Sequence, residues 1–192
     1  MNTNIENDMP GDLPEYREFV IRPVGIVRNN VEKPFLVADK NGLEMQRGND
    51  ENVSQIRSRR DEISEIIVDE KYEELLDGVE DYSHLVVLFW GHEVTEEGRS
   101  LKKIHPMGRK DYPEKGIFCT CSPARPNPVL MTVVKLLARK GNVLEVSGFD
   151  AIDKSPVIDI KPFVQDSLPK KDVKTAWWME ELHKEIDEKR KN

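Results

Sequence analysis

Arg125 and Asn127 stand two residues apart, and each precedes a proline, in the run Cys119-Thr120-Cys121-Ser122-Pro123-Ala124-Arg125-Pro126-Asn127-Pro128. A proline fixes its own φ and pushes the residue before it toward extended geometry. In an extended segment that spacing turns both side chains the same way. The loop is therefore expected to present a guanidinium and an amide from one stiff edge, with little conformational entropy left to lose on binding. The alternative is a Pro-rich surface turn that stops a strand. Stiffening a loop around two polar arms has no packing purpose, which favours the binding interpretation.

Other residues carry possible chemistry. His92 follows an apolar run by two residues and shares a face with Trp90 where a strand leaves the core. It is either a hydrogen-bonded histidine at a strand end or part of a site. Asp150 and Asp153 lie three apart in Gly148-Phe149-Asp150-Ala151-Ile152-Asp153-Lys154-Ser155-Pro156, a pattern equally suited to turn chemistry. Cys119 and Cys121 are expected on one face of a strand as buried free thiols. No two glycines are one residue apart, which excludes a dinucleotide-binding fingerprint, and no P-loop or nucleophile elbow is present. The four histidines show no metal-ligand spacing, and no metal is expected.

The elements that must position these residues are mostly strands. Strands are expected at Phe19–Arg28, Glu62–Asp69, Leu85–Trp90 and Pro156–Pro162, the last with Ile158 and Ile160 on one side and Asp159 and Lys161 on the other. Thr132–Leu137 and Asn142–Ser147 form a hairpin around Ala138-Arg139-Lys140-Gly141. Gly116–Phe118 continues as an apolar strand into the proline loop. Glu70–Asp77 fits a short helix ended by Gly78. Asn29–Arg60 reads as loop with at most short strands, and Gly91–Lys115 as a long charged loop. Asp172–Lys191 is expected to be a helix in which Trp178, Leu182 and Ile186 form an apolar stripe. Short strands with few helices between them make the fold class mainly β: a small antiparallel β-barrel with a few short helices and a C-terminal helix. Residues 1–18 are expected to be a disordered tail, 19–168 the barrel domain and 169–192 the amphipathic helix.

Composition limits the partners. The 192 residues suffice for one domain with a core, and 34% of them are charged, with a net charge of −7. An acidic chain is an unusual carrier of a large nucleic-acid footprint, but it allows local basic clusters, here Arg57, Arg59 and Arg60, and again Lys102, Lys103, Arg109 and Lys110. No run approaches the roughly 20 apolar residues of a membrane span. The acidic N-terminus and two closely spaced cysteines lead to the expectation of a cytoplasmic protein without membrane association.

Three segments together resemble the TsaA-like family of tRNA threonylcarbamoyladenosine methyltransferases. They are Asp81-Tyr82-Ser83-His84-Leu85 through His92, Gly116 through Pro128, and Gly148-Phe149-Asp150 through Asp159-Ile160-Lys161-Pro162-Phe163. The similarity runs in order from Ile21 to Leu168, and its Ser-Pro-x-Arg-Pro-Asn-Pro and Asp-Ile-Lys-Pro cores are specific. The resemblance implies a small β-barrel, a homodimer and an S-adenosylmethionine site. It implies cofactor contacts from Ala38, Asp39 and Lys40, from His92 and Glu93, from Cys121, Ser122, Arg125, Asn127 and Leu130, and from Asp150, Ala151, Ile152 and Asp153. A sulfonium wants an aromatic face, for which Phe89, Trp90 and Phe118 are candidates. The implied activity is methyl transfer to the exocyclic N6 nitrogen of threonylcarbamoyladenosine beside the anticodon of tRNA, with His92 or Asp159 as the base. The alternatives are a protein that binds S-adenosylmethionine without turning it over, or a methyltransferase for another small molecule or protein. The chain departs from the family pattern at Cys121, where arginine is usual, at Val129-Leu130 in place of Ile-Gly, at Ala38-Asp39-Lys40 in place of Pro-Arg-Gln, and at Lys154-Ser155 in place of Gly-Thr. Bacterial members carry a long C-terminal domain where this chain has the Trp177–Ile186 helix.

Overall fold

The computed structural model describes residues 20–34, 36–39, 42–45 and 62–188. The expected tail (1–18), Lys40 and the Arg57, Arg59, Arg60 cluster lie outside the described residues. Six antiparallel strands close a barrel in the order β1-β10-β5-β8-β9-β4, with β4 returning to β1. They are β1 (Gly25–Arg28), β4 (Ile63–Val68), β5 (His84–Trp90), β8 (Val129–Lys140), β9 (Val143–Ser147) and β10 (Pro156–Pro162). Two small hairpins lie outside it: β2 (Leu36–Asp39) with β3 (Gly42–Met45), and β6 (Lys103–Ile104) with β7 (Lys115–Gly116). Among the described residues there are also a four-residue helix α1 (Glu96–Arg99), a C-terminal helix α2 (Trp177–Glu188) and several 3-10 turns.

The barrel wall alternates because successive side chains of a strand point to opposite faces. In β5, Leu85, Val87 and Phe89 are buried while Val86, Leu88 and Trp90 are half-buried. Val27, Ile66, Val134, Leu144, Val146 and Val157 fill the same interior from the other strands. Each such side chain contributes about 1.5–3 kcal/mol by leaving water. Phe149 closes one end, its ring edge against Phe89 at 5.2 Å between centroids. The apolar run of β5 is thus half core and half outer wall, because one barrel face must meet the exterior.

Two bulges turn this sheet into a barrel. β8 pairs with β5 along Val129–Lys135 and with β9 along Lys135–Lys140, and its register slips at Leu137. One unpaired residue bends the strand and increases its twist, which lets one long strand serve two neighbours. β10 slips between Val157 and Asp159, so Ile158 is unpaired. Val157 and Ile160 therefore face the core, and the expected pairing of Ile158 with Ile160 on one side is corrected.

Other expectations shift for local reasons. β1 begins at Gly25, and Val20 and Ile21 are exposed, because Pro23 has no N–H for the ladder. The β8–β9 turn is the pair Gly141-Asn142, with Gly141 at φ +61°, so Ala138, Arg139 and Lys140 belong to the strand. Glu70–Leu76 is a 3-10 helix capped by the Asp69 carboxylate on Lys71 N–H. α2 starts at Trp177, five residues later than expected, after Asp172 adopts φ +58°. Ile117–Cys119 is a 3-10 turn, so the strand ends at Gly116 and both cysteines are exposed free thiols. They are neither buried nor strand neighbours.

Candidate cofactor site at one rim of the barrel

Antiparallel pairing brings the ends of β1, β5 and β9 and the starts of β4, β8 and β10 to one rim. The chemically suggestive loops therefore converge there. Gly91 N–H donates to Pro128 O (2.8 Å), which joins the turn after β5 to the proline loop before β8. A Cβ at Gly91 would lie 3.4 Å from both Pro128 Cβ and Leu130 Cδ1, and 3.2 Å from Val94 Cγ2. Only glycine allows this approach without displacement, and it seats His92 beside the loop that carries Asn127.

His92 is held by a tight turn, its N–H on Trp90 O at 2.9 Å. Nδ1 faces Ser155 Oγ at 3.5 Å, and Nε2 lies 3.7 Å from Glu93 Oε1. Ser155 is 1% exposed, so this hydroxyl serves the imidazole from inside the protein. The segment 150–153 lies against the same rim. Asp150 Oδ1 accepts from Thr132 Oγ1, and Asp153 Oδ1 accepts from Asn29 N–H at 3.1 Å. Each carboxylate thus has one oxygen tied and one left to receive a hydroxyl or a cation. Ala151 is buried at 1% exposure, and Leu130 packs on the core.

Arg125 differs from expectation. Its Nε donates to Ser122 O (2.8 Å) and its Nη2 to Thr120 O (2.7 Å), so the guanidinium folds back onto its own loop. Three prolines in six residues remove backbone donors, and the arginine supplies them to carbonyls on either side of Cys121. Asn127 remains exposed beyond it, and Ser122 is buried, accepting Ala124 N–H through its hydroxyl. The loop is braced by the arginine, and the two side chains do not form a parallel pair.

The aromatic candidates also separate. Phe89 is sealed in the core against Phe149. The Arg99 guanidinium carbon lies 5.5 Å from the Trp90 ring centroid and occupies that ring's cation-binding face. Phe118 is 80% exposed. Asp159 lies midway along β10, opposite Leu88, bonded to Ile160 N–H and ion-paired with Lys161, so it is not gathered with His92. Ala38 and Asp39 belong to β2, whose backbone runs beside α1. Asn29, Thr132 and Ser155 were missed by sequence reasoning, since no spacing links them to the rim.

Of the expected basic cluster, Lys102, Lys103 and Lys110 are exposed. Arg109 is bonded to Asp111 and Glu185, which takes it out of any anion-binding edge. Among the described residues, no group of three His, Cys, Asp or Glu side chains is placed to hold a metal ion, and no helix is long and apolar enough to cross a membrane. A shallow groove of about 310 Å³ lined by Pro23, Gly25, Ile26, Ile67, Val68 and Asp69 lies at the opposite rim and gathers no convergent polar groups.

Comparison with known proteins places the chain among relatives. The chain is 39% identical over 149 residues to a probable S-adenosyl-L-methionine-binding protein of Methanothermobacter thermautotrophicus, covering 78% of this chain and 93% of that one. It is 30% identical over 157 residues to the tRNA (adenine(37)-N6)-methyltransferase of Escherichia coli, covering 79% of this chain and 61% of the relative. A crystal structure of TrmO superposes with a TM-score of 0.59 at 24% identity, covering 83% of this chain and 64% of that one, which shows the shared fold. A family model described as the tRNA-methyltransferase O N-terminal domain matches residues 50–167, and the chain belongs to that family.

Proposed function

We propose that this protein is an S-adenosylmethionine-dependent methyltransferase acting on the N6 nitrogen of adenine 37 of tRNA, in its threonylcarbamoyl form, beside the anticodon in the cytoplasm. Membership of the family and relatives named for S-adenosylmethionine binding and for tRNA adenine methylation support it. The observation that carries the chemistry is the rim itself, where His92, the braced proline loop and two half-free carboxylates meet. Asp150 and Asp153 suit the hydroxyls and the cationic groups of the cofactor, and Asn127 and the unengaged donors of Arg125 suit its carboxylate.

The bound cofactor supplies a methyl group activated by an adjacent sulfonium. Positioning for in-line displacement then accounts for most of the rate. The attacking nitrogen is delocalised into the purine and the carbamoyl group, so its proton must leave as the methyl arrives. With Nδ1 given to Ser155, His92 Nε2 accepts that proton, and the Glu93 carboxylate at 3.7 Å stabilises the imidazolium formed. Asp159 lies midway along β10, ion-paired with Lys161 and away from the rim, so His92 is the better placed of the two.

The protein is further proposed to work as a homodimer. Val86, Leu88 and Trp90 of β5 pair with Val133, Met131 and Val129 of β8 on the outer wall, where Met131 is 65% and Val133 40% exposed. A continuous apolar wall of this kind fits a second copy of the chain. Light scattering is expected to give twice 22.2 kDa, and a 22.2 kDa particle at micromolar concentration refutes the dimer.

A second interpretation, cofactor binding without turnover, is favoured by relatives whose names state binding alone. Nucleoside mass spectrometry of tRNA incubated with protein and cofactor decides between them. A methylated threonylcarbamoyladenosine establishes the enzyme; no mass change with cofactor bound points to the sensor or to a methyltransferase for another substrate. tRNA lacking the threonylcarbamoyl group tests the substrate.

A further inference from the structure

Asn29 follows the last residue of β1, and every polar group of its side chain is engaged. Its Nδ2 donates to Ala151 O (2.9 Å) and to Ser64 Oγ (3.1 Å), and its Oδ1 accepts from Val31 N–H (3.0 Å). Its backbone N–H reaches Asp153 Oδ1 at 3.1 Å. Around it, Asp153 N–H donates to Val31 O and Lys154 N–H to Val27 O, both at 2.8 Å. One residue thus joins the end of β1, the start of β4 and the segment 150–153.

That segment needs outside support. Lys154, immediately after it, has φ +64°, a left-handed conformation that a side chain with Cβ adopts only under constraint. Nothing within 150–155 supplies the constraint except the Ser155 N–H to Ile152 O bond at 3.2 Å. The amide of Asn29 grips Ala151 O on one side of Asp153 while its own N–H grips the Asp153 carboxylate. Val27 also holds this turn, its O accepting from Lys154 N–H and its N–H donating to Ser155 O (3.0 Å), so removing the amide frees Ala151 O and leaves the strained residue on its backbone bonds to β1 alone.

We propose that Asn29 is the positioning residue of the acidic segment: together with the backbone bonds of Val27 it keeps the segment against β1 with Lys154 left-handed, and so aims Asp150 and Asp153 at the cofactor. The inference rests on the cofactor assignment of the preceding subsection, and it deepens that assignment by naming what sets its affinity.

The test compares wild type, Asn29→Ala, Lys154→Gly and the double variant, with S-adenosylhomocysteine titrated by calorimetry as the probe. Asn29→Ala is expected to weaken binding about tenfold, consistent with the loss of two to three ordinary hydrogen bonds. Its KM for the cofactor should rise while kcat at saturation and KM for tRNA stay within about twofold. Lys154→Gly removes the cost of φ +64° and should restore most of the affinity in the double variant. A merely structural asparagine would lower the melting temperature and kcat together and would not be rescued at position 154. Binding by Asn29→Ala within twofold of wild type, or no rescue by glycine, overturns the proposal. If wild type itself takes up no S-adenosylhomocysteine, the cofactor assignment falls. Amide exchange then decides the positioning role: faster exchange at Val31 and Asp153 in Asn29→Ala supports it, and unchanged exchange overturns it.

Discussion

Arg109 Nη2 sits 3.2 Å from Glu185 Oε1, across 76 residues of sequence. Tyr112 OH donates to the same carboxylate at 3.2 Å, and the Tyr112 ring meets Trp177 edge-on at 6.4 Å. An arginine that the charge pattern groups with lysines for phosphate binding is instead the pin that seats α2. Arg109→Ala is expected to release that helix. Tryptophan emission should shift to the red as Trp177 loses Tyr112. Unshifted emission would show that the pin does not hold α2.

The same pin gives a pH dependence with a fixed sign. Hydrogen bonds from Arg109 hold the carboxyls of Glu185 and Asp111 below their ordinary values near 4.5 and 3.8. Both groups bind protons more weakly when docked, so their stabilisation is present above those ordinary values and fades as pH falls through the depressed ones. Burial raises the Tyr112 hydroxyl, which stays neutral throughout. Trp177 emission should be constant from pH 8 to about 5 and change below about pH 4. Glu185→Gln should remove most of that change, and an acid transition identical in the variant contradicts the assignment.

Arg125→Ala is expected to weaken cofactor binding by about one to two decades, since a charge-assisted hydrogen bond contributes roughly 1.5–3 kcal/mol. The variant loses both the unengaged donors proposed for the cofactor carboxylate and the brace on the carbonyls of Thr120 and Ser122. Arg125→Lys should fail to restore it, because a single ammonium cannot span both carbonyls with the arginine's planar geometry. Asn127→Ala, at an exposed position, should weaken binding without altering the loop. Calorimetry with unchanged affinity in Arg125→Ala and Asn127→Ala removes this loop from the site.

Phe149→Ala couples core to site. The ring is 2% exposed and packs edge-on against Phe89, so its loss should cost about 3–5 kcal/mol in thermal or urea unfolding. Phe149 directly precedes Asp150, so cofactor affinity should fall as well. A loss under about 1 kcal/mol would mean that the barrel end collapses around the gap.

Lys102 and Lys103 remain as exposed cations on and beside β6. Reversing both charges should reduce tRNA methylation and flatten the dependence of log affinity on log salt, by a little under 0.9 for each phosphate that is no longer neutralised. Cofactor binding should be untouched. An unchanged salt slope places the RNA elsewhere on the surface.

The sequence by itself determined the barrel class, the strands β4, β5 and β10, and which loops carry the candidate polar groups. These rest on local physics: prolines restrict their own backbone, β-branched runs extend, and a histidine two residues past an apolar strand must leave the core. The family pattern added the cofactor and the reaction. Tertiary structure alone decided how the side chains are used. Arg125 turns inward because the carbonyls of Thr120 and Ser122 need donors, which spacing does not reveal. Ile158 leaves the face of Ile160 because closing a six-stranded barrel requires a bulge in β10. Arg109 is taken by Glu185, and Asn29 by Ala151 and Asp153, because chain closure puts residues 76 and more than 120 positions apart within hydrogen-bond reach. Local sequence sets which groups are available, and the closed register of the barrel sets which of them meet.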